Sequence, residues 1–171
     1  MIVTTGSFIV AIVDDIPALA GARAPLRSAL PVGGGGRTAE GRRAVVELAH
    51  KVSGNPQHAL LGGVWLAREG ASLEVLVPTG IPTLPTSDAW CTGPLGRSLI
   101  PGLPDEFALA VRATLEAAIP VPGVLTVDRA AYDPVESSPA AFRTAATVLA
   151  AVLMAEPSAA ADAASSVLAA L

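Results

Sequence analysis

A chain of 171 residues with a formal net charge of −4 is about the size of one domain and buries enough apolar surface to need neither disulfides nor a structural metal. It also lacks the basic excess that drives nonspecific binding to nucleic acid. Apolar types make up 51 % of the residues, but charges and turn residues interrupt every run before the roughly 18 apolar residues of a membrane span. The single cysteine, Cys91, excludes an intrachain disulfide, and no Cys/His group has zinc-ligand spacing.

The apolar stretch from Met1 to Val13 has no basic region before it, and Asp14-Asp15 stand where a secretory signal would carry its cleavage site. The expectation is a buried strand over Ser7–Val13 in a soluble, cytoplasmic protein, and the Arg-over-Lys and Ala bias is that of a GC-rich bacterial genome. Residues 18–31 are ambiguous, a short Ala-rich helix stopped at Pro31 being one reading. Gly33 to Gly36 followed by Arg37 reads as a flexible loop; a phosphate-binding loop would continue with Lys-Ser or Lys-Thr, so no GTP binding is expected. Residues 43–49 fit either a strand or one helical turn. Ser53-Gly54-Asn55-Pro56 is a turn signal before the apolar segment 60–67, and 73–77 is a further strand candidate, with antiparallel pairing expected.

Six prolines between Pro78 and Pro104 exclude a central strand or a long helix there. Pro104-Asp105-Glu106 then opens a helix whose apolar face is Phe107, Val111, Leu115 and Ala118, stopped by Pro120 and Pro122. Residues 123–128 read as a strand. Ser138 before Pro139 caps a second helix with a stripe of Phe142, Ala145, Ala146, Leu149, Val152 and Leu153. Residues 157–171 read as an Ala/Ser tail or a short frayed helix.

Each residue capable of chemistry has a plainer explanation beside it. His50 and His58 could act as bases, but isolated histidines on a hairpin are ordinarily exposed surface groups. Cys91, beside Trp90, could be a nucleophile, yet no base or helix N-terminus is visible to activate it. Ser137 and Ser138 are explained by helix capping. Asp128, Asp133 and Glu136 bracket one loop and could perform acid/base work or simply be solvated. Arg37, Arg42 and Arg43 form the one dense basic cluster, just before Lys51, and are where a phosphate would bind if one does.

The stretch AYDPVESSPAAFRTAA, Ala131 to Ala146, resembles a segment of domain IV of translation elongation factor G through Tyr132, Val135, Glu136, Ser137, Ser138, Ala141, Phe142, Arg143, Ala145 and Ala146. Leu99 to Ala118 is similar to the preceding helix of that domain, and Ala49 to Leu66 to its glycine-rich hairpin. The resemblance spans residues 43–156 of a single domain. It implies an α+β, two-layer α/β sandwich of the ribosomal protein S5 domain 2-like type, a βαβ arrangement with a left-handed crossover, against the usual right-handed rule. It further implies a ribosome or protein partner contacted at the loop tips. Arg37, Arg42, Arg43, His50, Lys51, Tyr132 and Asp133 are the candidate contacts.

The chain departs from that family in holding Asp133 where the family usually has His, and Asn55-Pro56 where it has flexible glycines, so poor RNA binding at physiological salt is expected. The GTPase and the other domains of the factor have no counterpart here. No cofactor, metal, membrane or DNA is expected. Three functions compete: a noncatalytic binding module, a small enzyme or small-molecule binder with its site under the loop 78–104, and an oligomeric accessory protein that covers an apolar face by self-association.

Overall fold

A computed structural model describes residues 1–16, 25–31, 41–52, 54–80 and 90–171. Runs rich in β-branched and apolar residues form the strands: β1 (Ile2–Thr5), β2 (Phe8–Val13), β3 (Pro25–Pro31), β4 (Arg42–Val52), β5 (Asn55–Ala67) and β6 (Ser72–Pro78). The short pair β7 (Cys91–Thr92) and β8 (Ser98–Pro101) follows, then helix α1 (Asp105–Ala118), strand β9 (Gly123–Tyr132) and helix α2 (Pro139–Met154). A single 3-10 turn, Pro157–Ala159, leads into α3 (Ala160–Ala169).

Seven strands lie in the order β1-β2-β4-β5-β9-β6-β3, and β8, with β7 hydrogen-bonded to it, joins the end of β9. All neighbours are antiparallel except β6 and β9, which run parallel with α1 between them in sequence. The antiparallel expectation therefore holds for the β4–β5 hairpin and for β6 against β3, whereas on its other side β6 runs parallel to β9. Where β5 meets β9 the register slips between Gly62 and Gly63. A side chain on Gly63 would come within 2.7 Å of the Thr126 carbonyl, so only glycine fits that close approach.

The three helices cover one face of the sheet, giving two layers of α+β type. Val46 and Leu48 of β4, Leu61 of β5 and Leu125 of β9 meet Phe107, Val111 and Leu115 of α1 and Phe142, Leu149 and Leu153 of α2 in one core. Phe107 and Phe142 stack with ring centroids 5.0 Å apart. Both helices begin as the sequence predicts: Asp105 and Glu106 sit in the first turn of α1, and Ser138 Oγ accepts the Ala141 N–H at 3.1 Å to cap α2. Because successive strand residues point to opposite faces, Val45 and Glu47 lie on the side away from the helices. There Val45, Leu60, Leu99 and Ala131 form a smaller cluster, with Val13, Ile16 and Cys91 packed against it.

Two expectations are corrected and one ambiguity is resolved. Residues 25–31 form a strand, not the end of a helix, because they pair along their whole length with β6. The segment 157–171 is not a tail: Ala160, Ala164 and Leu168 recur every four residues and are buried against α2 and β1, so packing orders a helix too short to stand alone. The ambiguous 43–49 segment is the middle of β4. Gly33–Gly36 and Arg37 lie outside the described residues.

Candidate functional site

The β4–β5 hairpin builds the site. Glu47 lies opposite Leu60, so His58, two residues along β5, is its diagonal neighbour on the same face. His58 Nε2 sits 2.7 Å from Glu47 Oε1, and the two side chains are 1 % and 0 % exposed. His58 was expected at the surface; it is buried because the β7–β8 hairpin folds over the sheet and closes on Glu47. The other Glu47 oxygen accepts the Leu95 N–H in the turn of that hairpin. Gly93 N–H donates to the Arg97 carbonyl at 2.9 Å and Gly96 N–H to the Gly93 carbonyl at 2.8 Å, which closes the turn. Gly93 packs flat on the carboxylate: a Cβ there would come within 2.6 Å of its carbon.

From His58 the connections continue through the backbone. Its N–H donates to the Glu136 carbonyl at 3.0 Å, and its carbonyl accepts from Ser137 Oγ at 2.6 Å. Ser137 Oγ also accepts the Asp133 N–H at 2.9 Å, which commits the hydroxyl on both sides and explains it without nucleophilic chemistry. Asp133 Oδ1 accepts the N–H groups of Val135 and Glu136 at 2.8 and 2.9 Å, the side-chain-to-backbone turn for which a short carboxylate is suited. The Glu136 carboxylate returns to the flap by pairing with Arg97, and this partner holds the guanidinium above its usual pKa. Glu47, His58, the 133–137 turn, Arg97 and Leu95 thus form one closed circuit at the turn end of the sheet. Within it His58 Nδ1, although buried, has no hydrogen-bond partner among the described residues.

His50 and Lys51 belong to the same end. The His50 ring stacks on Phe8 with centroids 3.6 Å apart, Nε2 lies 2.7 Å from Ser7 Oγ, and loss of solvent lowers its pKa. Lys51 is exposed. Tyr132 turns the other way, packing edge-on against Phe107 in the helix-side core, where burial raises the phenol.

Among the described residues, Arg42, Arg43 and Lys51 do not form one patch. Arg42 and Arg43 start β4, about 30 Å along the strand from Lys51, and as consecutive strand residues they leave by opposite faces. Arg42 donates to the Leu153 and Val152 carbonyls at 2.7 and 3.2 Å, capping the negative end of α2, whose last turn has no basic residue of its own. Arg43 pairs with Asp128 at 2.6 Å and with Asp15 at 3.2 Å, and the Asp128 bond raises its pKa. Arg129 joins the same two acids. Asp128 is thereby separated from Asp133 and Glu136, with which it was grouped by sequence. Cys91 is half-buried, and desolvation pushes its thiol up, away from the reactive thiolate.

Among the described residues no group of three or more His, Cys, Asp or Glu is placed to hold a metal ion, and no helix is long and apolar enough to cross a membrane. Sequence reasoning missed Glu47 and Arg97. The Glu47–His58 pair could have been found from the turn signal Ser53-Gly54-Asn55-Pro56 in the sequence, which implies the hairpin register. Comparison of the chain with protein-family models, with curated proteins and with solved structures returned no match.

Proposed function

We propose that the chain is a noncatalytic binding module of the elongation factor G domain IV type, with a ribosomal protein S5 domain 2-like core, that engages a ribosome-associated protein through the turn end of its sheet. The strand and helix order β4-β5-β6-α1-β9-α2, with β9 inserted between β5 and β6 and parallel to β6, supports the fold part of this reading. The observation that carries the binding part is the closed circuit from Glu47 to Leu95. It ties two separate loops and the hairpin strands into one arrangement, so little ordering entropy remains to be lost when a partner docks.

The character of that end favours a protein surface over phosphates. Arg97 is neutralised by Glu136, and Val135 stands 87 % exposed. Co-sedimentation with purified ribosomes across a salt series, beside binding to naked ribosomal RNA, tests the reading. The expected result is co-sedimentation at about 0.15 M salt with a shallow salt dependence, weakened at least about tenfold by Val135→Asp, and no binding of naked RNA. Absence of co-sedimentation, or co-sedimentation that Val135→Asp leaves unchanged, overturns it. A steep salt slope that Lys51→Ala flattens would identify RNA as the partner instead.

The second reading, a small-molecule site under the loop 78–104, draws on the buried Nδ1 of His58, which has no partner among the described residues. A ligand there would shift the His58 ring resonances and protect the Leu95 amide. A screen in which no compound moves these signals removes that reading.

A further inference from the structure

The two edges of the sheet are built differently. β3 begins and ends on proline, Pro25 and Pro31, which lack the N–H that an added strand would need. β1, with the sequence IVTT, has no proline, no charge and no bulge. Its edge is nevertheless a row of hydrogen-bonding groups whose direction is fixed by the pairing with β2. Met1 and Ile12 exchange both backbone bonds, at 2.9 and 2.8 Å, so in an antiparallel ladder Val3/Val10 and Thr5/Phe8 are the next bonded pairs. The N–H and C=O groups of Ile2 and Thr4 therefore point away from β2, and no described strand pairs with them. Beside this row Ile2 is 65 % and Ile9 44 % exposed, on the face opposite the helices.

We infer that β1 pairs antiparallel with β1 of a second copy of this chain, about a two-fold axis through Val3, so that one continuous sheet crosses a homodimer. The occupant follows from the symmetry of the edge. Outward groups at Ile2 and Thr4 are disposed evenly about Val3, so a copy turned end for end presents Thr4 to Ile2 and Ile2 to Thr4, and both pairs bond without changing either strand. On the exposed face this places Ile2 in a row between Ala11 of its own β2 and Thr4 of the other copy, with the second copy's Ile9 beyond, and removes the most exposed apolar residue of the edge from water. On the other face, α3 lies against β1 and contains a single charged residue, Asp162, in AADAASSVLA, so the two helix layers meet through small side chains.

Sedimentation equilibrium at up to about 100 μM protein tests this, together with cysteine cross-linking in a Cys91→Ser background. The wild type is expected to dimerise. Ile2→Lys, at an exposed position, and Thr4→Pro, which removes an outward N–H and none that bonds β2, are each expected to raise the dimer dissociation constant at least about tenfold with unchanged circular dichroism. Val3→Cys is expected to oxidise to a disulfide-linked dimer, because facing residues of a non-bonded antiparallel pair have Cα atoms about 4.5 Å apart, within disulfide reach. Thr4→Cys, which faces Ile2, is expected not to cross-link. A monomer throughout that range, a dimer that neither Ile2→Lys nor Thr4→Pro weakens, or cross-linking through Thr4→Cys in place of Val3→Cys overturns the proposal.

Discussion

Replacing His58 by leucine tests how the site is held. The substitution leaves the shape of the cluster formed by Val45, Leu60, Leu99 and Ala131 nearly unchanged but strips Glu47 of its closest partner. Glu47 is 0 % exposed, so water cannot replace the ring nitrogen without opening the flap, and the Leu95 N–H alone must then satisfy the carboxylate. Removing one member of a buried hydrogen-bonded pair costs about 3–5 kcal/mol, whereas replacing both members by apolar residues of similar volume is often close to neutral. His58→Leu is therefore expected to lose about 3–5 kcal/mol in urea unfolding, while Glu47→Leu/His58→Leu recovers most of that loss. The part not recovered is the Leu95 N–H, which is half-buried and can find water. Amide exchange at Leu95 should speed up most in the double variant, where the flap loses its Glu47 anchor, and less in His58→Leu, where that bond remains on a less firmly held side chain. A single substitution costing under about 1 kcal/mol, or a double variant no better than the sum of the singles, would refute the account of a buried, mutually dependent pair.

Three other outcomes follow from the same geometry. Leu149→Ala, at a fully buried position between α2 and the sheet, should cost about 2–5 kcal/mol in chemical denaturation. Arg42→Met keeps the aliphatic stem but leaves the Val152 and Leu153 carbonyls without their donor, so stability should fall by about 1 kcal/mol and the last turn of α2 should exchange faster. Desolvation lowers the pKa of His50 in the folded state, so between that value and about 6.5 the unfolded chain binds more protons and stability rises with pH. An NMR titration should place the His50 midpoint below about 6.5, and His50→Gln should flatten the dependence of the unfolding midpoint on pH in that window; a midpoint at or above that value would contradict the burial of the ring on Phe8.

The distribution of charge agrees with the proposal that the turn end docks on a protein. Cations that sequence places close together are spent on separate structural tasks: Arg42 on a helix end, Arg43 and Arg129 on Asp128 and Asp15, Arg97 on Glu136. Among the described basic groups at the turn end, Lys51 is the one that is exposed and outside any ion pair, and the described residues offer no concentrated positive surface on which a nucleic acid backbone would be held.

Features that depend on neighbours within a turn or two are readable from the residues alone. Helices α1 and α2 were legible to within a residue or so at each end because Pro104-Asp105-Glu106, Ser138-Pro139 and the apolar spacing act through local capping, dipole and periodicity. The strand 123–128 and the β4–β5 turn were readable on the same grounds, although β9 runs on to Tyr132. Tertiary structure alone decided the rest. α3 carries little helix signal beyond its alanines and exists because Ala160, Ala164 and Leu168 have α2 and β1 to pack on. The strand identity of 25–31 depends on β6, more than forty residues away, as the paired register from Pro25/Pro78 to Pro31/Ser72 records. The site is the clearest case: His58 reads as an isolated hairpin histidine until the register sets it diagonally from Glu47 and a flap from residues 91–97 covers both. Burial and partnership belong to surfaces assembled from distant segments, and no local pattern in the chain encodes which segment will arrive.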